Sequence, residues 1–266
     1  MDGYERVRTG AEETDMRIAV AGGTGVAGRQ VVAELTAAGH EPVVLARSEG
    51  VDLMTGAGLD AALAGVDAVI DTVNLSTMRR ARAVAFFESV TRNLLAAEER
   101  AGVGHHIALS IVGIERVGHG YYQGKIAQER AVAAGPVPWT VLRATQFHEF
   151  AEQMLDLMPG PLAPILPMRV QPVAVREVAR HLVALAAGAP QGMAPELAGP
   201  REESLTGMVR ALLPVRGERR LVLPLRLPGR PGRAMATGAL LPTATGPRGT
   251  QTFTEWLGER SARAGG

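Results

Sequence analysis

The chain of 266 residues contains no cysteine. That excludes disulfides, thiolate metal sites and a cysteine nucleophile, and it leads us to expect a reducing, cytoplasmic setting. Aromatic residues make up 4% of the chain, and only three are tyrosine. Lysine is scarcer: of the 28 basic residues, Lys125 alone is lysine. No apolar run reaches the roughly 18 to 20 residues that span a bilayer, so no membrane partner is expected. Charge of one sign is not in excess either. A formal net charge of +1 leaves no global footprint for nucleic acid. The six histidines lack H-E-x-x-H or similar spacing, so no metal is expected. No G-x-S-x-G elbow is present, which removes the commonest hydrolase reading of an α/β chain.

What remains is a chain with 46% hydrophobic residues, enough for a real core. Residues 1–15, "MDGYERVRTGAEETD", are polar and lack an apolar h-region. They are expected to be a disordered extension before "MRIAV". From Met16 short apolar runs alternate with helical stretches. "RIAVAG" (17–22), "EPVVLAR" (41–47), "VDAVIDTV" (66–73), "HHIALSIV" (105–112) and "WTVLRA" (139–144) read as strands. The segments between them carry helical periodicity, including a long stretch over 76–101 and another from the lysine to about Ala134. Such alternation predicts an α/β fold, a Rossmann-type doubly wound parallel sheet over 16–147. Residues 148–266 read as a smaller, less regular substrate lobe packed on that core. Its basic run "VRGERRLVLPLRLPGRPGR" (215–233) reads as a solvated edge or loop, interrupted as it is by Leu and Pro.

The turn "AVAGGTGVAG" follows the first strand and opens the first helix. Gly23, Gly25 and Gly28 fit G-x-G-x-x-G, and Gly22 extends the pattern. Glycines allow the tight turn and let backbone N–H groups approach a pyrophosphate at the helix N-terminus. Gly22, Gly23, Thr24, Gly25, Val26 and Gly28 are therefore candidate dinucleotide-binding residues. The second strand ends "VVLARS" with no carboxylate. An acidic residue there serves the NAD ribose, whereas an arginine suits the 2′-phosphate of NADP. Arg47, with Ser48 beside it, thus favours NADP over NAD. Asp52 and Leu53 lie along the adenine or cap the next helix. Asn74 sits at the carboxyl edge of the sheet, within reach of the cofactor.

The stretch "GYYQGKIAQER" (120–130) brings the lone lysine and two of the three tyrosines together. Tyr121 and Lys125 are four apart and share a helix face. An ammonium beside a phenol favours the phenolate and lowers the tyrosine pKa, which suits proton transfer. Tyr122 lacks that spacing and reads as packing or pocket lining. His105 and His106 face opposite ways on a strand, and His148 and Glu149 read as capping or surface residues near a pocket.

With "GGTGVAG" at 22–28, "VDAVIDTVN" at 66–74, Ser110, "YYQGK" at 121–125 and "WTVLRATQFHEF" at 139–150, the chain resembles the short-chain dehydrogenase/reductase superfamily in its NmrA-like branch. The resemblance implies that Tyr121 is the acid/base, that Lys125 partners it and holds the nicotinamide ribose, and that Ser110 orients the substrate carbonyl. It also implies a homodimer through the helices around 76–101 and 121–134. Three functions stay open: an NADP-dependent oxidoreductase acting on a carbonyl or activated alkene, an NADP-sensing regulator without chemistry, and a non-redox epimerase or dehydratase. Met154, Leu157, Met158, Leu162, Ile165, Leu166 and Met168 suit either an apolar small-molecule substrate or simple packing of the lobe.

Overall fold

The structure is a computed structural model that describes residues 15–118 and 120–264. Almost all of the expected N-terminal extension, residues 1–14, lies outside the described residues. The first half runs β1 (Arg17–Ala21), α1 (Val26–Ala37), β2 (Glu41–Leu45), α2 (Leu59–Ala62), β3 (Ala68–Asp71) and α3 (Arg80–Ala101). It continues through β4 (His105–Ile111), α4 (Ile114–Val117), α5 (Gly120–Ala133) and β5 (Trp139–Ala144). The second half holds α6 (Phe150–Asp156), β6 (Leu162–Ile165), β7 (Arg169–Val170), α7 (Val175–Ala186) and β8 (Gly192–Met193). It ends with β9 (Glu203–Ser204), α8 (Leu205–Val215), β10 (Leu221–Pro224), α9 (Gly229–Ala236) and α10 (Phe253–Ala264).

Six strands form one parallel sheet in the order β2-β1-β3-β4-β5-β8. Side-chain alternation explains why β1 is apolar from Ile18 to Ala21. Ile18 and Val20 share a core with Val31 of α1 and with Val178 and Leu182 of α7. Ala19 and Ala21 point the other way, to the core that holds Val90 and Leu94 of α3. Both faces of the sheet are covered, as a parallel sheet requires. The chain leaves β1 for β2 on one side and returns to β3 on the other. That reversal opens a crevice beyond the carboxyl ends of these strands, the usual ligand position in such folds.

The expected division near residue 147 does not separate the sheet from the second half of the chain. Helix α7 packs on α1 and the sheet, and β8 adds the sixth strand beside β5. The irregular rhythm after 147 hid this, because β8 is two residues long and carries no period. A second core gathers Leu155, Ile165, Leu205, Met208, Leu212, Val222, Phe253 and Trp256, and it also takes in Tyr122 of α5. This core roofs one end of the crevice.

Candidate functional site

A cleft of about 1360 Å³ runs across the carboxyl ends of the central strands. At its β1 end lies the glycine turn. Gly22 has φ +74°, and a Cβ there would lie 3.2 Å from the Val73 backbone. The turn thus sits hard against the chain leaving β3. A Cβ on Gly28 would lie 2.2 Å from the Gly22 carbonyl oxygen, so the helix can start this close to the strand only with glycine. Gly25 is the N-cap of α1, and no side chain caps the helix. The first N–H groups of α1, unpaired within a helix by its geometry, are left for a ligand. These features fit a dinucleotide pyrophosphate.

Of the sequence-predicted cofactor residues, Gly22, Thr24, Gly25, Val26, Arg47, Asp52, Leu53, Asn74 and Lys125 line the cleft. Gly23, Gly28 and Ser48 do not. Gly23 and Gly28 serve close packing, since an added Cβ would meet Val44 in the first case and the Gly22 backbone in the second. The Ser48 hydroxyl donates to its neighbour Glu49 at 3.3 Å. Arg47 is exposed and has no carboxylate partner among the described residues. One carboxylate oxygen of Asp52 accepts the Met54 N–H at 2.8 Å, and the Asp52 backbone bridges Ala57. Asp52 therefore shapes its loop.

Ser110, Tyr121 and Lys125 all face the cleft, but each takes a different partner. The Tyr121 hydroxyl donates to Asn74 Oδ1 at 2.7 Å. Lys125 Nζ donates to the Leu109 carbonyl at 2.6 Å and to Gln128 Oε1. The Ser110 hydroxyl donates to Glu129 Oε1 at 2.5 Å, and Arg143 holds the same carboxylate through two N–H groups at 2.9 and 2.7 Å. The expected lowering of the Tyr121 pKa by Lys125 is not seen. Burial, with Tyr122 close by, pushes the Tyr121 phenol above its usual range. Tyr122 is buried and pushed up to about 12 by the same desolvation. Both phenols stay protonated at neutral pH. Burial pulls Lys125 down to about 8, against the raising effect of Asp71 and Glu129.

Several residues of the site were not singled out in the sequence. Gln128 and Glu129 follow Lys125 by three and four positions, the spacing that puts them on its helix face. Gln146 lines the cleft, and both polar atoms of its amide are sequestered without a protein partner. The far wall is apolar, with Phe147, Phe150, Met154, Leu157, Leu166, Met168, Leu227 and Met235. Met158, Leu162 and Ile165 stand outside it. His105 and His106 are buried structural residues, bound to Thr140 at 2.8 Å and Glu98 at 2.9 Å. His148 is buried against Phe253 and Trp256, away from the cleft.

A family profile described as NAD(P)H-binding matches residues 22–188. A (4-alkanoyl-5-oxo-2,5-dihydrofuran-3-yl)methyl phosphate reductase of Streptomyces griseus subsp. griseus is 32% identical over 157 residues, 54% of this chain and 51% of the relative. The chain thus spans about half the length of that relative. Among solved structures, a UDP-glucose 4-epimerase from Thermotoga maritima with UDP-glucose is similar at TM-score 0.71 and 17% identity, covering 93% of this chain and 98% of that one. An NADPH-dependent quinone oxidoreductase from Escherichia coli is similar at TM-score 0.61 and 18% identity, covering 91% and 98%. At these identities the two structures share a fold with this chain. Among the described residues, no helix is long and apolar enough to cross a membrane.

Proposed function

Because the chain belongs to the NAD(P)H-binding family, we propose that it is an NADP-dependent oxidoreductase that reduces a carbonyl or activated alkene of a small apolar substrate. The observation that carries this reading is that Tyr121 and Lys125 line the same cleft as the glycine turn at the start of α1. When bound, the nicotinamide supplies or takes up the hydride. The glycine turn and the uncapped start of α1 hold the pyrophosphate, and Arg47 takes the 2′-phosphate. Lys125 has three N–H groups, two of them spent on Leu109 and Gln128. The third serves the nicotinamide ribose. Tyr121 gives its proton to the oxygen or carbon that becomes negative as hydride arrives, and Asn74 Oδ1 sets the rotamer of that hydroxyl.

Ser110 is a poorer candidate for orienting the substrate carbonyl, because its proton goes to the Glu129 carboxylate, a stronger acceptor than the neutral Asn74 amide that a substrate oxygen would displace from Tyr121. An uncommitted donor in that wall is Gln146. The apolar wall with Met154, Met168 and Met235 suits an alkyl or acyl group, because methionine adapts to irregular apolar shapes. A reductase relative whose substrate name includes an alkanoyl group supports this. The NmrA-like sensor is the second reading. It is favoured by the separation of Ser110, Tyr121 and Lys125 onto three different partners.

The test is NADPH consumption against ketones, quinones, enones and unsaturated lactones, with wild type and Tyr121→Phe side by side and NADH as control. Removing a general acid lowers turnover by about 100-fold or more. Equal turnover in the two proteins removes Tyr121 as the acid. NADPH binding without turnover of any compound moves the sensor reading ahead.

A further inference from the structure

Lys125 is 3% exposed. On one side the Phe87 ring of α3 lies 4.9 Å from Nζ. An ammonium in such a place loses its hydration and must recover it from fixed acceptors. Two are present, the Leu109 carbonyl of β4 and Gln128 Oε1. Gln128 is itself 1% exposed and donates its Nε2–H to Asp71 Oδ2 at 2.7 Å. Asp71, fully buried at the end of β3, accepts the Val73 N–H on its other oxygen at 2.9 Å.

Chemistry sets the direction of the bridging amide. A carboxylate only accepts and an ammonium only donates. The amide oxygen must therefore face Lys125 and the amide nitrogen must face Asp71. Each end of the amide dipole then meets the charge it favours, and the two buried charges compensate each other without touching. Buried charges of this kind persist only when paired and hydrogen-bonded.

We propose that Gln128 and Asp71 are positioning residues for Lys125: through the bridging amide, the Asp71 carboxylate keeps the buried ammonium charged and aims its remaining N–H into the cleft. The charged groups acting on Lys125 are Asp71 from β3 and Glu129 from α5, while α3 contributes an aromatic face and β4 a carbonyl. This network also accounts for the one lysine in an arginine-rich chain. A planar guanidinium cannot place single N–H groups on a carbonyl, an amide and a ribose in three directions. The consequence for cofactor binding rests on the function proposed above, but the lysine's charge does not.

Lys125 is the only lysine, so protein grown on isotopically labelled lysine gives a single side-chain resonance. It can be titrated by NMR in the full chain with no cofactor or substrate. Gln128→Met keeps the length of the side chain but not its hydrogen bonds. It is expected to lower the lysine midpoint by about one pH unit, and Asp71→Asn is expected to lower it as well. Gln128→Glu places a charge beside the ammonium and moves the midpoint upward. These opposite signs keep the result readable where one variant fails to fold. Lys125→Met and Gln128→Met are both expected to weaken NADPH binding at pH 8. A midpoint that is the same in wild type, Gln128→Met and Gln128→Glu overturns the proposal. A wild type that does not bind NADPH overturns the cofactor reading instead and leaves the titration to be judged separately.

Discussion

Arg47 stands exposed at the rim of the cleft where β2 ends, without a carboxylate partner among the described residues. A free guanidinium at this place has a geometry that matches a phosphate ester. Lysine is no substitute, because the planar fork is what gives two parallel hydrogen bonds. Arg47→Ala is expected to raise the Kd for NADPH roughly 10- to 100-fold, the worth of one or two charge-assisted hydrogen bonds. The Kd for NADH should stay nearly unchanged. Calorimetric titration with both cofactors decides this. Equal losses for the two would place Arg47 on a part of the dinucleotide that they share. At this scale the sequence was informative where chemistry is local. Gly22, Gly25, Arg47, Tyr121 and Lys125 all line the cleft, while Gly23 and Gly28 pack behind it. The partners that lie far apart in the chain did not follow from spacing. Asp71 and Gln128 are 57 residues apart, and no periodicity reports such a contact.

Two contacts decide how α3 and α5 sit against the sheet and each other. The first is Gly124 on α5. A Cβ there would lie 2.7 Å from the Phe87 ring and 2.8 Å from the Ala83 methyl. Gly124→Ala is expected to force the helices apart and cost about 1–3 kcal/mol, read as a lower denaturant midpoint. Phe87 also packs on Lys125 and Tyr121, so NADPH affinity should fall with it. An unchanged midpoint would mean that the helices yield freely.

The second contact joins α3 to β4, where Glu98 and His106 are both fully buried. Burial works to lower the His106 value, but the charge and hydrogen bond of Glu98, with help from Asp71, outweigh it, and the value ends raised. A base raised in the folded state contributes fully below its unfolded pKa near 6.5. The contribution then fades as pH rises through the folded value. Lys125, lowered to about 8, acts in the opposite sense, adding stability above that pH. The difference between wild type and His106→Gln therefore isolates the histidine. The Tm gap between the two proteins should be widest near pH 6 and shrink toward pH 9. A gap that does not change with pH would mean that the pair does not titrate.

The two halves of the chain share a sheet, a core and the cleft. Helix α7 buries Val175, Val178, Ala179, Leu182 and Val183 in the cluster that holds Ile18, Val20, Ile70 and Ile107. Each fully buried aliphatic of this kind contributes about 1.5–3 kcal/mol, and a whole domain is stable by only about 5–15 kcal/mol. Losing α7 would therefore remove as much as the fold has to spare, and it would strip one face of a parallel sheet. Residues 16–147 read in the sequence as the nucleotide-binding core because their strand and helix periods are clean. Helix α7 is legible in the sequence as "VREVARHLVALAAG", but the two-residue strand β8 that completes the sheet carries no period, so the place of that helix on the sheet did not follow. A chain of residues 16–147 is accordingly expected to show no cooperative thermal transition and to be cut readily by protease. A chain of residues 15–199, which restores α7 and β8, should recover a cooperative transition. It should still lack the apolar wall built from Leu227 and Met235. Circular dichroism melts of the two truncated chains beside the full one make the comparison. A sharp, reversible melt of 16–147 would show that the sheet holds without its cover, and that the second half is an added lobe after all.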